Sequence, residues 1–215
     1  MEAVIFDKDG VLVDTEGIVS EGVARIVKKH STIPFNMDDV VRLRGSSAAA
    51  TFAFLKEKYK LSFSVPEILD KYQIEYEEII STKSDIVMEG AIDFIKELQT
   101  QNIPYGIGTN SSRERTQLSL RGIEQYFPVI VTADDILHPK PAPDVFLAVS
   151  DKLGVDIEKC IVVGDTNNDA LAAQSAGAKF VFFDHNLGLT VEGVVDLRIA
   201  SMKELSVERL QRLFS

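Results

Sequence analysis

The stretch "VIFDKDGVLVDTE" at residues 4–16 places an apolar run directly before two acidic residues and a glycine. The apolar run is continuous rather than alternating, which is typical of a strand covered on both faces in a parallel sheet. Asp7 and Asp9 stand where this strand, "AVIF" at residues 3–6, comes to its end. Because open α/β sheets bind ligands at the carboxyl ends of their strands, this stretch predicts a functional site at the tip of a buried strand.

Four further apolar runs have the same character, namely "YGIGT" (105–109), "PVIVT" (128–132), "CIVVG" (160–164) and "KFVFF" (179–183). Helical patterns separate them, and three of the helical segments run up to Gly122, Gly154 and Gly177. Glycine is a natural helix stop because it adopts the left-handed conformation at low cost. Strands that alternate with helices are typical of an open α/β fold. We therefore predict a Rossmann-like parallel sheet flanked by helices.

One long segment breaks this alternation. Residues 15–84 show helical periodicity and no convincing buried strand, with Ile18, Gly22 and Ile26 on one shared face. We therefore predict a small all-helical domain over 15–84, inserted after the first strand. Residues 1–14 and 85–215 would then form the α/β domain.

Composition excludes several classes of function. The chain has 215 residues and a net charge of −10, and an acidic surface disfavours nonspecific binding to nucleic acid or to anionic membranes. Cys160 is the single cysteine, so an internal disulfide is impossible, and its apolar surroundings in sequence predict an inert buried thiol. The sequence has neither a signal-peptide pattern at its start nor an apolar run long enough to span a bilayer, so we expect a cytoplasmic protein.

Polar side chains follow the other predicted strands as well. The second strand ends at Thr109, Asn110 and Ser111, Lys140 lies in the loop beyond the third strand, and the fourth strand leads into "GDTNND" with Asp165 and Asp169. Carboxylates that converge in one place repel one another unless a cation lies among them, and oxygen ligands favour Mg²⁺. Hydroxyls, backbone N–H groups and a lysine suit phosphate oxygens. A carboxylate at such a site is able to act as a nucleophile and form an aspartyl-phosphate.

The segments "FDKDGVLVDTE", "GTNSS", "HPKPAPDVF" and "GDTNNDALAAQSAG" resemble, in this order, the four motifs of the haloacid dehalogenase-like (HAD) hydrolase superfamily. The resemblance extends over the whole chain, because the helical insert is similar to the C1-type cap of that superfamily. It implies that Asp7 is the nucleophile, and that Asp9 is a general acid and then a general base. It further implies that Asp7, Asp9 and Asp165 bind Mg²⁺, with Asp169 as a partner of the metal site or of Lys140.

The same resemblance implies which residues bind the substrate. Thr109, with the backbone of Asn110 and Ser111, would hold the phosphate, and Lys140 would neutralise the charge on the nucleophile and on the transferring group. In C1-capped relatives a loop between cap helices faces the phosphate. The matching stretch is "RLRGSSAAA" at residues 42–50, so Arg44 and Gly45 are the candidates to contact the substrate.

Single residues distinguish the activities found in this superfamily. The residue Asp9 argues against haloacid dehalogenases and phosphonoacetaldehyde hydrolases, which lack this second acid. β-Phosphoglucomutases keep both acids but usually carry a histidine where this chain has Val19. We therefore expect a phosphatase for a small phosphorylated sugar or a phosphoglycolate-like acid, with mutase activity as the alternative.

A receiver-type phosphoaspartate switch is the alternative from another class, and Asp9 together with the helical insert argues against it. For the oligomeric state, a monomer or a weak dimer is expected.

Overall fold

A computed structural model describes residues 1–41, 46, 48–83, 85–185, 188 and 190–214. The chain divides into two compact units, of which one comprises Met1–Asp14 with Val87–Ser215 and the other comprises Thr15–Ile86. Arg44 and Gly45, the predicted substrate contacts, lie outside the described residues. Within the described ranges, no helix combines the length and apolar composition needed to cross a bilayer.

The larger unit is built on a sheet in which all described strand pairs are parallel. Its strands are β1 (Ala3–Phe6), β2 (Tyr105–Gly108), β3 (Ile130–Val131), β4 (Cys160–Gly164), β5 (Lys179–Phe183) and β6 (Leu197–Ile199). They lie in the order β3-β2-β1-β4-β5-β6, which places β1 between β2 and β4. The predicted parallel α/β sheet is confirmed, and the first strand is a central one.

Two details of the sheet differ from the prediction. β3 is two residues long rather than five, and β6 was not predicted at all. β6 carries an exposed arginine, Arg198, in its centre, and this interrupts the apolar run that signals a covered strand. It is an edge strand that pairs only with β5 in the described sheet, so one of its sides needs no covering element.

Four described helices of the larger unit follow the predicted segments, namely α5 (Ala91–Thr100), α6 (Arg113–Ser119), α7 (Asp144–Leu153) and α8 (Asn167–Ala176), their numbers continuing from those of the smaller unit below. A fifth helix, α9 (Val207–Gln211), was not predicted. α7 and α8 end at Gly154 and Gly177, whose φ values of 68° and 86° are left-handed. α6 instead ends three residues before Gly122, so that glycine is not its cap. Cys160 is buried at the start of β4, and burial raises the pKa of its thiol to about 11.

The regular elements among the described residues of the smaller unit are all helices. Its helices are α1 (Glu16–His30), α2 (Asp38–Val41), α3 (Ala48–Tyr59) and α4 (Val65–Ser81). α4 begins with a capping box in which Ser64 and Glu67 satisfy each other's backbone N–H groups. Its buried face carries Ile68, Tyr72 and Tyr76, and α1 and α4 pack against each other. The pattern at Ile18, Gly22 and Ile26 predicted the buried face of α1, since all three are buried.

Candidate active site

The tip of β1 is a tight turn that fixes two acids and a lysine. The backbone N–H of Asp7 donates to the carbonyl oxygen of Val163 on β4 at 2.8 Å, which extends the sheet by one residue. The carbonyl oxygen of Lys8 accepts from the N–H groups of Leu12 and Val13, and Gly10 N–H donates to the carbonyl of Val13. The turn is therefore held by its own backbone, and the side chains that it presents are placed with little freedom.

Gly10 is required at this turn for two reasons. Its φ is +79°, a left-handed conformation that residues with a side chain adopt only at an energetic cost. A Cβ atom at this position would also lie 2.2 Å from Oδ2 of Asp165. With any other residue at position 10, the turn after β1 could not lie this close to Asp165.

Lys140 joins the acids of two different strands. Its Nζ donates to Oδ1 of Asp7 at 2.6 Å and to Oδ1 of Asp169 at 2.8 Å, and the ammonium lies 4.7 Å from the centre of the Phe146 ring. All three charged groups are buried. Asn110 holds the backbone of this lysine from both sides, accepting from Lys140 N–H at 2.9 Å and donating to its carbonyl at 3.2 Å. The loop after β3 is therefore attached to the end of β2 through Asn110.

Burial dominates the electrostatics of this cluster. It raises the pKa of Asp7 to about 8, with Lys140 opposing the rise and Asp169, Asp9 and Asp165 adding to it. Burial also disfavours the charged form of Lys140, but the neighbouring Asp169 and Asp7 outweigh that effect and hold its pKa above the ordinary value. Lys140 thus offsets only part of the unfavourable burial of these acids, and a further cation would favour their ionised forms.

The donor set fits a hard divalent cation. One carboxylate oxygen from each of Asp7, Asp165 and Asp169 lies within 4.8 Å of the others, and all three residues are buried. Oxygen-only ligands suit Mg²⁺, which keeps part of its shell for water or phosphate. Both oxygens of Asp169 are engaged, one by Lys140 and the other by Thr166, so Asp7 and Asp165 are the carboxylates that would hold the ion directly.

Asp169 also takes part in the N-terminal cap of α8. Thr166 and Asp169 form a capping box, in which Oδ2 of Asp169 accepts from the Thr166 N–H at 3.1 Å and from its hydroxyl. Its other oxygen, Oδ1, accepts from Lys140. The resemblance implied that Asp169 is a partner of the metal site or of Lys140. Its Oδ1 accepts from Lys140, and one of its oxygens also lies within 4.8 Å of oxygens of Asp7 and Asp165.

Asp9 faces the end of β2. Its Oδ2 accepts from the Ser111 hydroxyl at 2.8 Å and from the Thr109 hydroxyl at 3.4 Å, and its side chain is about one-third exposed. Thr109 is buried, and its hydroxyl oxygen also accepts from Ser111 N–H at 3.1 Å. The polar residues of the two strand ends thus meet, as the sequence analysis expected of parallel neighbours.

Sequence reasoning missed two polar residues of this region. Lys8 is fully buried, and its Nζ donates to Oδ1 of Asp9 at 2.6 Å and to the Ser119 hydroxyl at 2.9 Å. Ser119 is the last residue of α6, 111 positions further along the chain. A lysine next to a turn is usually solvated, and only its position between two motif acids would have marked it for attention.

The histidines lie outside the cluster or at its border. Nε2 of His185 is 3.6 Å from Oδ2 of Asp165, and its ring stacks on Phe183 with the ring centres 4.0 Å apart. His138 is exposed and pairs with Asp144 at 3.0 Å. His185 therefore borders the acidic cluster, while His138 pairs with the first residue of α7.

The chain matches a known protein family and a named relative over most of its length. A family model described as haloacid dehalogenase-like hydrolase matches residues 4–183. A Thermotoga maritima protein named phosphorylated carbohydrates phosphatase is 30% identical over 186 residues, which cover 85% of this chain and 84% of that protein.

Two solved structures share the fold over nearly the whole chain. A HAD hydrolase of family IA, variant 3, from Entamoeba histolytica has a TM-score of 0.87 at 28% identity and covers 99% of both chains. β-Phosphoglucomutase from Clostridium difficile has a TM-score of 0.86 at 24% identity, covering 100% of this chain and 97% of that one, which shows the common fold. The resemblance inferred from the four motifs and the predicted fold class are thereby confirmed: the chain belongs to the haloacid dehalogenase-like hydrolase family, a family of enzymes.

Proposed function

We propose that this protein is a Mg²⁺-dependent phosphatase that hydrolyses a small phosphorylated metabolite through an aspartyl-phosphate on Asp7. The observation that carries the proposal is the Lys140 bridge between Asp7 and Asp169, with Asp165 beside them, at the ends of two neighbouring parallel strands. This arrangement provides a carboxylate nucleophile, a fixed positive charge and oxygen ligands for a metal in one place. Positioning and electrostatic stabilisation are most of what phosphoryl transfer requires.

The reaction takes place in two displacements at phosphorus. A carboxylate oxygen of Asp7 attacks the phosphorus atom and the ester P–O bond breaks, while Asp9 gives a proton to the leaving oxygen. Water then attacks the same phosphorus atom, Asp9 accepts its proton, and the bond between phosphorus and Asp7 breaks. The products are the dephosphorylated metabolite and inorganic phosphate, and Asp7 and Asp9 return to their initial states.

Other residues of the cluster act by position and charge. Thr109 and Ser111 contact Asp9 through their hydroxyl groups, which are proposed to donate to phosphate oxygens once the substrate is bound. Lys140 offsets negative charge on Asp7 and on the transferring group. When bound, Mg²⁺ supplies further charge stabilisation, and Asp7, Asp165 and the backbone carbonyl of Asp9 would hold it.

The helical unit is proposed as the C1-type cap, with the boundaries 15–84 predicted from the sequence. A cap excludes water from a phosphoryl-transfer site and selects the substrate. Arg44 and Gly45 remain the proposed specificity residues. The substrate class, a sugar phosphate or a phosphoglycolate-like acid, is supported by the relative from Thermotoga maritima, whose name states that it acts on phosphorylated carbohydrates. The cytoplasmic location and the monomeric or weakly dimeric state stay predictions.

The test is hydrolysis of p-nitrophenyl phosphate with Mg²⁺ and with EDTA. We expect metal-dependent release by the wild-type chain, loss to a few per cent or less in Asp7→Asn, and full activity in Asp93→Asn, an exposed acid of the same unit. In Asp9→Asn, acid-quenched samples should contain a phosphorylated protein, because the second displacement lacks its base. A fully active Asp7→Asn variant would refute the proposal.

The same preparation distinguishes phosphatase from mutase. Offering β-glucose 1-phosphate and following inorganic phosphate against glucose 6-phosphate separates hydrolysis from transfer. Release of phosphate supports the phosphatase. Accumulation of glucose 6-phosphate without phosphate release would establish the mutase in its place, despite Val19 at the position where mutases usually carry histidine.

A further inference from the structure

Lys8 has no role in the proposed reaction, yet it is fully buried next to Asp9, the proposed general acid and base. The Lys8 side chain has no exposed surface, although an ammonium loses its hydration when it is buried. An uncharged side chain of similar length would fill the same space without this loss. The charge of Lys8 must therefore be offset by the groups that surround its Nζ.

Among the described residues, two groups do so, and each faces the ammonium with an acceptor. Oδ1 of Asp9 lies 2.6 Å from Nζ, and the Ser119 hydroxyl oxygen lies 2.9 Å from it. The Ser119 hydroxyl is within donating distance of the carbonyl oxygens of Arg115 and Thr116, at 3.0 Å and 3.2 Å. Its single hydrogen is thus directed into α6, which leaves a lone pair for the lysine. Ser119 anchors Lys8 to the helix, and Lys8 reaches Asp9.

The two oxygens of Asp9 are engaged by opposite sides of the site. Oδ1 is held by Lys8, and Oδ2 faces the hydroxyls of Ser111 and Thr109 at the end of β2. A carboxylate held at one oxygen has its side-chain rotation restricted, so the other oxygen keeps a defined direction. Here that direction is toward the strand end where the phosphate is proposed to bind.

We propose that Lys8 is the positioning residue of Asp9, and that the buried chain Ser119–Lys8–Asp9 fixes the orientation of the carboxylate that moves protons in both displacements. This inference rests on the proposed function, since it assigns Lys8 a role through the acid and base chemistry of Asp9. Lys8 is itself fully enclosed, so it acts on the rate of the chemical steps and leaves substrate affinity unchanged.

The first test compares Lys8→Met with the wild type, using p-nitrophenyl phosphate at saturating Mg²⁺. We expect kcat to fall about 10- to 100-fold, which is typical of a misplaced catalytic group, while KM stays within about twofold. Lys159→Met is the matched control, because it removes a lysine from an exposed ion pair with Glu2 in the same unit, and its kcat should be unchanged. A Lys8→Met variant with wild-type kcat and a lowered melting temperature would show a purely structural lysine and overturn the inference.

The second test asks whether Lys8 acts through Asp9. In an Asp9→Asn background, Lys8→Met should cause no further loss in the rate of phosphoenzyme breakdown, because groups that act as one unit are not additive. An additional loss equal to that in the wild-type background would place the effect of Lys8 elsewhere and overturn the inference.

Ser119→Ala keeps the inference testable if Lys8→Met fails to fold. It removes only one hydroxyl, at the end of the hydrogen-bonded series Ser119–Lys8–Asp9 that is farthest from Asp9. We expect a smaller loss of kcat, about threefold to tenfold, again with little change in KM. Wild-type kcat in this variant would count against the anchoring role. A wild-type chain without any metal-dependent turnover would refute the proposed function together with this inference, whereas an active wild type with an unaffected Lys8→Met variant refutes the inference alone.

Discussion

The two units of this protein differ in how many charged side chains they bury and in how these side chains are arranged. Among the described residues of the helical unit, Asp39 is the buried charged group, and it accepts from the hydroxyl of Tyr59 and the ammonium of Lys58. The α/β unit instead buries several acids and two lysines, most of them around one edge of its sheet, namely Asp7, Lys8, Lys140, Asp165, Asp169 and Asp184.

The difference separates charge that supports a fold from charge that supports chemistry. Asp39 joins α2 to the end of α3, and its partners compensate it locally. At the sheet edge, three acids lie within 4.8 Å of one another, an arrangement that opposes folding by itself. Functional sites commonly keep such unfavourable arrangements, which the rest of the fold must offset. Substitutions in the two regions should therefore differ in whether they change rate or stability.

The largest expected effect comes from Lys140→Met. Removal of the ammonium leaves Asp7 and Asp169 without their shared partner, and the transferring phosphoryl group without a fixed positive charge. We expect kcat to fall about 10²- to 10³-fold, as for the loss of other preorganised donors. Steady-state kinetics measure this loss, with Lys179→Met as the control because that lysine pairs with Asp196 away from the cluster. Equal activities of the two variants would contradict the assignment of Lys140.

A smaller effect, on metal binding, is expected from Gly10→Ala. The new Cβ would lie 2.2 Å from Oδ2 of Asp165, so this carboxylate must move. We expect the Mg²⁺ concentration for half-maximal rate to rise about 10- to 100-fold, the range found when groups that orient metal ligands are changed. A titration of rate against Mg²⁺ measures it.

Gly122→Ala is the matched control for that variant. Gly122 also has a left-handed φ, of +86°, but a Cβ there meets no atom within 4 Å. Any backbone strain is therefore common to both variants, and the clash is confined to Gly10→Ala. The same Mg²⁺ dependence in both would show that Asp165 does not bind the metal.

The smallest effect on rate is expected from Tyr59→Phe in the helical unit. Its hydroxyl donates to Asp39 and accepts from the backbone N–H of Asn36 at 2.9 Å, and burial followed by contact with Asp39 raises its pKa. Loss of these bonds should lower the free energy of unfolding by about 1–3 kcal/mol. Urea denaturation measures this change, and kcat should equal that of the wild type. A fall in kcat without loss of stability would erase the contrast between the two units.

Much of the fold and of the site could be predicted from local patterns. β1, β4 and β5 are continuous apolar runs, and parallel strand ends must meet at one edge, so Asp7, Asp165 and the residues after β2 were expected to converge. β6 was missed because Arg198 interrupts its apolar run, and an edge strand is not required to be covered on both sides. Local sequence therefore identified the covered strands better than the exposed ones.

The parts of the site that escaped prediction depend on long-range packing. Nothing near Lys8 in sequence indicates that its ammonium reaches Ser119, which is 111 residues away on α6. Likewise, nothing near Asn110 in sequence indicates that its side chain holds the backbone of Lys140, while the phosphate contact assigned to the backbone of Asn110 stays a prediction. Motifs identify which residues gather, but the direction of each polar side chain is decided by elements that the motif does not contain.

Asp169 serves two structures with one carboxylate, since one oxygen caps α8 and the other holds Lys140. The first turn of that helix and the placement of the lysine therefore depend on the same side chain. In the folded protein, fraying of that single turn would release Lys140 from Asp169, so local opening of α8 is a route by which the enzyme loses activity while the rest of the sheet stays intact.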